Sequence, residues 1–255
     1  MLEFRLRSFP RASSVWFAER AEIPSGLGQL GTSQLVFNQA ARPPDDGVRE
    51  RTRVSAFTTL LVDLTASEDA LWQGVRKKTR GYIRAASTKI PHEAEWVVGD
   101  AHGRFYRFFA EFLARKAFSE VPTRRLYDQY ARTAVISSCR RDGEILVAHF
   151  YLVDRDLGRA RLLWSARGVE ETQDVASLNR LLHWEDFLHF RNELQLATYD
   201  WGGIAADGSG SGIDEFKRRF GGEIVTEWNV GWNSPFYAAV KGAIRGRRAP
   251  AFPPA

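Results

Sequence analysis

The sequence predicts an α+β, mixed α/β fold: a central, mostly antiparallel sheet flanked by helices. Three observations predict it. The strand-like runs "TAVISSCR" (133–140), "EILVAHFYLVD" (144–154) and "RARLLWSA" (159–166) follow one another through the turn signals "RDGE" and "DLG", which makes a meander. A long segment of helical period, "DVASLNRLLHWEDFLHFRNE" (174–193), then leads to a further strand, "LQLATYD" (194–200), as a crossover does. Two amphipathic helices precede the meander, and a short helix and a last strand follow the crossover strand.

Element by element, residues 1–53 read as irregular. "GLGQLG" (Gly26–Gly31) has the letters of a dinucleotide loop, but Pro24 and Ser25 stand where a strand is needed, so it reads as a plain loop. "ARPPDDG" (41–47) is a turn. "VSAFTTLLVDL" (54–64) reads as a buried strand, and Thr65 with Glu68 as a capping box that starts one helix. On that helix Trp72, Val75, Thr79, Ile83 and Ala86 recur at helical spacing and face the core. Arg76, Arg80 and Arg84, with Lys77 beside them, make a basic stripe that is either a solvated face or a phosphate contact. "AEWVV" (94–98) is a strand, "GRFYRFFAEFLARKA" (103–117) and "TRRLYDQYAR" (123–132) are helices, and Asp174 is the expected N-cap of the crossover helix. "GIDEFKRRF" (212–220) is a short helix and "GEIVTEWNV" (222–230) a strand; "PFYAAVKGAIRGRR" suits a terminal helix and "APAFPPA" a disordered tail.

Composition narrows the function classes. The 255 residues are 44% apolar and 26% charged, with a net charge of +5, which favours anionic partners: nucleic acid, phosphorylated precursors or an anionic membrane face. Cys139 is the single cysteine, so no intrachain disulfide forms. The N-terminus lacks a signal-type apolar core, and no apolar run approaches the roughly 20 residues of a membrane helix. The expected location is cytoplasmic, at most peripheral at the inner membrane face.

The order of elements resembles the GNAT acyltransferase fold, in which the strand after the crossover helix splays from its neighbour and leaves a cleft at its end. Three stretches narrow the likeness. "LWQGVRKKTRGYIRAA" (71–86), "NRLLHWEDFLHF" with "YDWGGI" (199–204), and "GIDEFKRRFGGEIV" (212–225) are similar, in order and spacing, to motifs of the FemABX family of aminoacyl-tRNA-dependent peptidyl transferases. The resemblance covers roughly residues 54–232 and implies a reduced N-terminal, partly GNAT-like region (1–93), a complete GNAT-like domain (94–246) and a tail (247–255). It implies transfer of an aminoacyl group from aminoacyl-tRNA to an amine of a phosphorylated cell-envelope precursor or a peptide-like metabolite, with no bound cofactor and no metal. "SARGVEETQDVAS" (165–177) lacks the GNAT pyrophosphate pattern, which disfavours acetyl-CoA in its usual pose. Two alternatives stay open: an acyl-CoA- or acyl-carrier-protein-dependent N-acyltransferase of polysaccharide or lipid assembly, and a non-catalytic module that holds tRNA or phospholipid by charge.

Lys217 is the first catalytic candidate, a cation for the developing oxyanion; it can instead be a surface lysine pairing with Asp214 or Glu215. Asp200 can orient or deprotonate the amine, or cap the turn that Gly202 and Gly203 make, and the turn role is favoured. Of Tyr199 and Trp201, which flank it, one is expected to face the core. The resemblance adds Phe216, Tyr199, Trp201, Gly202, Gly203 and Asn179, with Arg76, Lys77, Arg80 and Arg84, as substrate contacts. His183 and His189 lie on different helix faces and do not share a metal, and His149 reads as a satisfied core histidine. Cys139 reads as structural, although Arg140 and Arg141 beside it can lower its pKa. Most of the eight tryptophans read as core.

Overall fold

Apolar and charged side chains alternate along Leu2–Arg7, and that period of two makes a half-buried strand, β1, with Phe4 inside and Glu3 and Arg5 outside. The computed structural model describes residues 1–7, 11–22, 32–45, 47, 52–100, 102–116, 122–168, 172–205 and 212–235. The chain divides into two compact units, residues 1–57 with 226–255, and residues 58–225. Residues 58–93, expected with the N-terminal region, therefore belong to the second unit.

In the first unit, β1 pairs antiparallel with β2 (Arg11–Trp16), and β2 pairs parallel with β3 (Thr32–Ala40). The far side of β3 takes the last strand, β10 (Glu223–Asn233), in antiparallel register from Trp228↔Ala40 to Asn233↔Gln34. Val15, Leu35, Phe37, Val230 and Trp232 form the core. The irregular segment expected over 1–53 is thus corrected. The charges in "MLEFRLR" interrupt the apolar run but not its alternation, and alternation is what a one-face-buried strand requires. "GLGQLG", the terminal helix and the tail lie outside the described residues.

The second unit holds the meander and crossover. Its strands are the part of β4 (Thr52–Asp63) from Thr58 onward, β5 (Glu93–Val98), β6 (Ala134–Arg141), β7 (Glu144–Asp154), β8 (Arg159–Arg167) and β9 (Thr198–Gly203). They lie in the order β4-β9-β8-β7-β6-β5. All pairings are antiparallel except β8 with β9. The "RDGE" hairpin turns with Asp142 and Gly143 both at positive φ (54° and 83°), the geometry that matches strand twist. The first half of β4 alternates between half-buried and exposed, so the buried reading of "VSAFTTLLVDL" holds only for its second half, at Thr59, Leu60, Val62 and Leu64.

The single helix expected after β4 is two: α1 (Glu68–Gly74) and α2 (Lys77–Lys89). Ser67, not Thr65, caps α1, its Oγ accepting from the Ala70 amide, while Thr65 donates to Asp63. The break sits at Val75–Arg76 (ψ 128° and 139°). Arg80 holds it by donating to the carbonyls of Trp72, Gln73 and Val75 at the end of α1, where carbonyls lack their i+4 amides. Helices α3 (Tyr106–Arg115), α4 (Arg124–Tyr130), α5 (Gln173–Asn192) and α6 (Gly212–Arg218) complete the unit. Thr172, rather than Asp174, caps α5. Phe109, Tyr127, Phe150 and Trp164 pack ring on ring, centroids 4.7–6.0 Å apart, each ring worth about 1.5–3 kcal/mol of burial. No described helix is long and apolar enough to cross a membrane.

The functional geometry comes from one pairing. Strands β8 and β9 run parallel only over Arg159↔Thr198, Ala160↔Tyr199 and Arg161↔Asp200. Beyond that point both continue unpaired with each other, to Arg167 and Gly203. This is the splay that the resemblance to the GNAT fold implies, and it opens the sheet at the end of β9.

Candidate active site

The splay leaves a crevice of about 890 Å³, walled by α3, α5 and α6 and by the diverging ends of β8 and β9. Its lining carries Lys116, Arg161, Arg167, Arg180 and Lys217 and no carboxylate. Apolar rings, among them Trp164, Trp201 and Phe216, make up much of the remaining wall. A cationic, aromatic-walled crevice suits an anionic ligand with an apolar or π-face portion.

Lys217 sits on α6, and its Nζ donates to the Gly203 carbonyl at the end of β9. Burial and the neighbouring Arg161 pull its pKa down to about 8. Its ammonium is thus placed at the strand's end, inside the crevice, and is only weakly held as a cation. Phe216 precedes it and packs on His183, Trp201 and Phe220. The double glycine after Phe220 has a structural cause. A Cβ on Gly222 (φ 106°) would stand 2.5 Å from the Leu61 carbonyl oxygen.

Asp200 is fully buried and does not line the crevice. Its Oδ1 accepts from Thr59 Oγ1 and from the Gly202 amide (2.8 Å), and its Oδ2 from Arg159 Nη2 (2.6 Å) and Nε (3.1 Å). Although burial opposes ionisation, Arg159, Arg161 and Thr59 hold its carboxyl below the usual range. This is the turn-holding arrangement: Gly202 takes positive φ (71°) under the carboxylate. The catalytic role weighed for Asp200 finds no access to a ligand here.

Tyr199 and Trp201 are both buried, with centroids 5.0 Å apart. Residues two apart on a strand share a face, which corrects the expectation that only one turns inward. Trp201, Gly202 and Gly203 line the crevice; Tyr199 lies beneath it. Asn179 lines it too. The basic stripe does not. Arg76 pairs with Glu215 (2.7 Å), Arg80 caps α1, Arg84 lies over the Trp72 ring (5.2 Å), and Lys77 is exposed. Internal partners relieve the like-charge repulsion that motivated the phosphate reading.

Sequence reasoning missed Arg161, Arg180 and His183. The missed signal is on α5, where Asn179, His183 and Asp186 stand at spacings of four and three among apolar neighbours, a polar line down a buried face. All three are buried. Asp186 accepts from Trp96 Nε1 (2.8 Å), from Tyr151 and from His149 Nδ1 (2.7 Å). Tyr151 meets Tyr199 (2.9 Å), and Tyr199 meets His183 Nδ1 (2.9 Å). His149 is bonded at both nitrogens, to Asp186 and Asn179, as a satisfied core histidine is. Burial foremost, with His149, Lys217 and Arg180 nearby, holds His183 well below the ordinary histidine range, so it is neutral.

His149, His183 and Asp186 approach one another closely enough to suggest a metal site. The two imidazoles are stacked, 3.8 Å apart and 14° from parallel. Their in-plane lone pairs therefore run side by side and do not converge on one ion, and the set does not fit a metal. His189 points away and stacks on Trp96. Cys139 is buried, and burial with Glu185 and Asp186 nearby raises its pKa, opposite to the effect its arginine neighbours suggest.

No protein-family model matches the chain, and no curated protein matches it in sequence. Solved structures do. FemX superposes with a TM-score of 0.56 at 13% identity, over 83% of this chain and 75% of that one. The C-terminal domain assigned to a lysylphosphatidylglycerol synthetase from Agrobacterium fabrum gives 0.53 at 14% identity, over 91% and 81%. L-PGS from Bacillus licheniformis gives 0.53 at 15% identity, over 84% and 72%. At such identities the likeness establishes the fold alone: a mixed sheet flanked by helices.

Proposed function

We propose that the protein is an acyltransferase that moves an aminoacyl group from aminoacyl-tRNA to an amine. The acceptor is a phosphorylated cell-envelope precursor or a peptide-like metabolite, met in the cytoplasm or at an anionic membrane surface. The observation that carries this reading is Lys217: a partly desolvated ammonium at the end of a splayed strand, in a crevice lined by cations and rings. The tRNA end is anionic and carries an adenine face, which that lining suits. The motif resemblance and the structural likeness to FemX and L-PGS support the same donor class.

The chemistry needs a neutral amine and a stabilised oxyanion. The amine nitrogen bonds to the ester carbonyl carbon, and the carbonyl oxygen takes the negative charge. Lys217, released from Gly203, donates to that oxygen, a contact worth about 3–4 kcal/mol in a dry site. Collapse of the adduct breaks the ester bond, and the ribose hydroxyl leaves with a proton. The surrounding cations lower the affinity of an incoming amine for its proton and so favour the reactive form.

Incubating the protein separately with labelled aminoacyl-tRNA and with labelled acyl-CoA, each with a free-amine dipeptide, tests the reading. Amide formation from aminoacyl-tRNA is expected. Turnover with acyl-CoA alone assigns the other donor, and binding of tRNA without transfer from either source assigns a non-catalytic module.

A further inference from the structure

The buried polar chain beneath the crevice has a direction, and that direction fixes a proton. The Asp186 carboxylate accepts and has nothing to donate. Trp96 Nε1 can only donate, and it does so to Oδ1. Tyr151 spends its one hydroxyl proton on Asp186 Oδ2. Tyr151 Oη and Tyr199 Oη are 2.9 Å apart, so the proton between them belongs to Tyr199. Tyr199 then has only a lone pair for His183 Nδ1, also 2.9 Å away, and Nδ1 must carry the imidazole's hydrogen. The opposite filling leaves the two phenolic oxygens facing each other, 2.9 Å apart and fully buried, with no proton between them, so that lone pair meets lone pair.

The consequence lies at the other ring nitrogen. With Nδ1 protonated, His183 Nε2 is a bare lone pair. It makes no hydrogen bond among the described residues, and His183 lines the crevice together with Lys217. A cation and an unprotonated base therefore share one wall.

We propose that His183 Nε2 is the proton acceptor for the attacking amine, oriented by the relay Asp186–Tyr151–Tyr199. This deepens the acyltransferase reading and rests on it. As the nitrogen–carbon bond forms, the nitrogen becomes positive and gives its proton to Nε2. His183 passes that proton to the departing ribose oxygen as the ester bond breaks, and returns to its starting state. His149, Tyr199, Lys217 and Arg180 face His183 from β7, β9, α6 and its own helix, and Asp186 lies one turn away on α5. The cations among them keep the imidazolium short-lived, which suits a base that must return its proton within the cycle.

Two measurements test this. Nitrogen NMR of histidine-labelled wild-type protein reports the tautomer directly and needs no variant. It is expected to show His183 protonated at Nδ1 and bare at Nε2 through neutral pH; the reverse pattern overturns the proposal. The second is transfer from labelled aminoacyl-tRNA by wild type and His183→Asn, which places an amide donor near Nδ1 but nothing at Nε2. With a dipeptide amine as acceptor, the variant is expected to be about 10²- to 10⁴-fold slower. With hydroxylamine, whose adduct gives up its proton to water unaided, it is expected to approach the wild-type rate. Equal rates with the dipeptide, or equal losses with both nucleophiles, overturn the assignment and leave the acyltransferase reading standing. A wild type inert toward both nucleophiles overturns that reading and, with it, this role.

Discussion

Replacing Asp200 by Asn separates a turn-holding carboxylate from a catalytic one. The side chain is wholly buried, and its partner Arg159 is 11% exposed. Asn keeps an oxygen for Thr59 and the Gly202 amide and removes only the charge. Arg159, almost buried, then loses the charged carboxylate oxygen to which its Nη2 and Nε donate. Breaking one side of a buried pair costs about 3–5 kcal/mol. That is a large share of a typical stability of roughly 5–15 kcal/mol. Urea unfolding is the assay, and the midpoint should fall with an unchanged slope. Adding Arg159→Met should recover part of the loss, because the buried charge that no longer meets a carboxylate disappears with it. The pH dependence has a definite sign. The Asp200 pKa is lower folded than unfolded, so its contribution is present above the unfolded value of about 3.9 and is lost as pH falls through the folded one. In Asp200→Asn that acid-side loss should vanish. If Asp200→Asn instead unfolds at the wild-type midpoint while transfer drops a hundredfold or more, the carboxylate is catalytic and the geometric reasoning fails.

Three more perturbations probe the same framework. Lys217→Met should bind tRNA as wild type does and transfer about 10²- to 10³-fold more slowly; the wild-type rate should decline as pH rises through about 8, where this ammonium titrates, and a rate flat to higher pH would exclude the cation. Glu185→Gln should stabilise the fold at pH 8 by about 1–3 kcal/mol, read by thermal melting; burial raises the Glu185 pKa to about 7, so wild-type stability falls as pH rises from its unfolded value of about 4.3 through 7, and the variant should lack that slope. Gly222→Ala should cost more than 1 kcal/mol through its positive φ and the contact with the Leu61 carbonyl, whereas the open Gly143 turn should tolerate alanine with only the φ penalty.

The meander, the crossover helix and the strand ending in "YDWGG" were legible because period two, period 3.6 and turn residues are local signals. The splay was legible only through the resemblance of the element order to the GNAT fold. The N-terminal strands were hidden because charge was weighed above alternation in Leu2–Arg7, and because the parallel pairing of β2 with β3 leaves no hairpin signature. The split between α1 and α2 was hidden because Val75 and Arg76 are ordinary helix residues; Arg80 and the backbone contact from Arg76 to Arg219 decide it. Of the crevice lining, Lys217, Phe216, Gly202 and Gly203 are residues that the motif resemblance had already singled out. His183 could not be read from α5 alone, since its tautomer depends on Tyr199 and Tyr151, residues brought to it from two different strands. Buried polar chains of this kind exist only in three dimensions, although a polar line on an apolar helix face marks where to look.

The most direct measurement is a structure with a stable amide analogue of the aminoacylated tRNA end. The account predicts the analogue in the crevice at the end of β9, with its carbonyl oxygen roughly 2.7–3.1 Å from Lys217 Nζ and Gly203 released. An analogue bound away from that crevice, or one whose carbonyl turns from Lys217 while the lysine stays on Gly203, would contradict it.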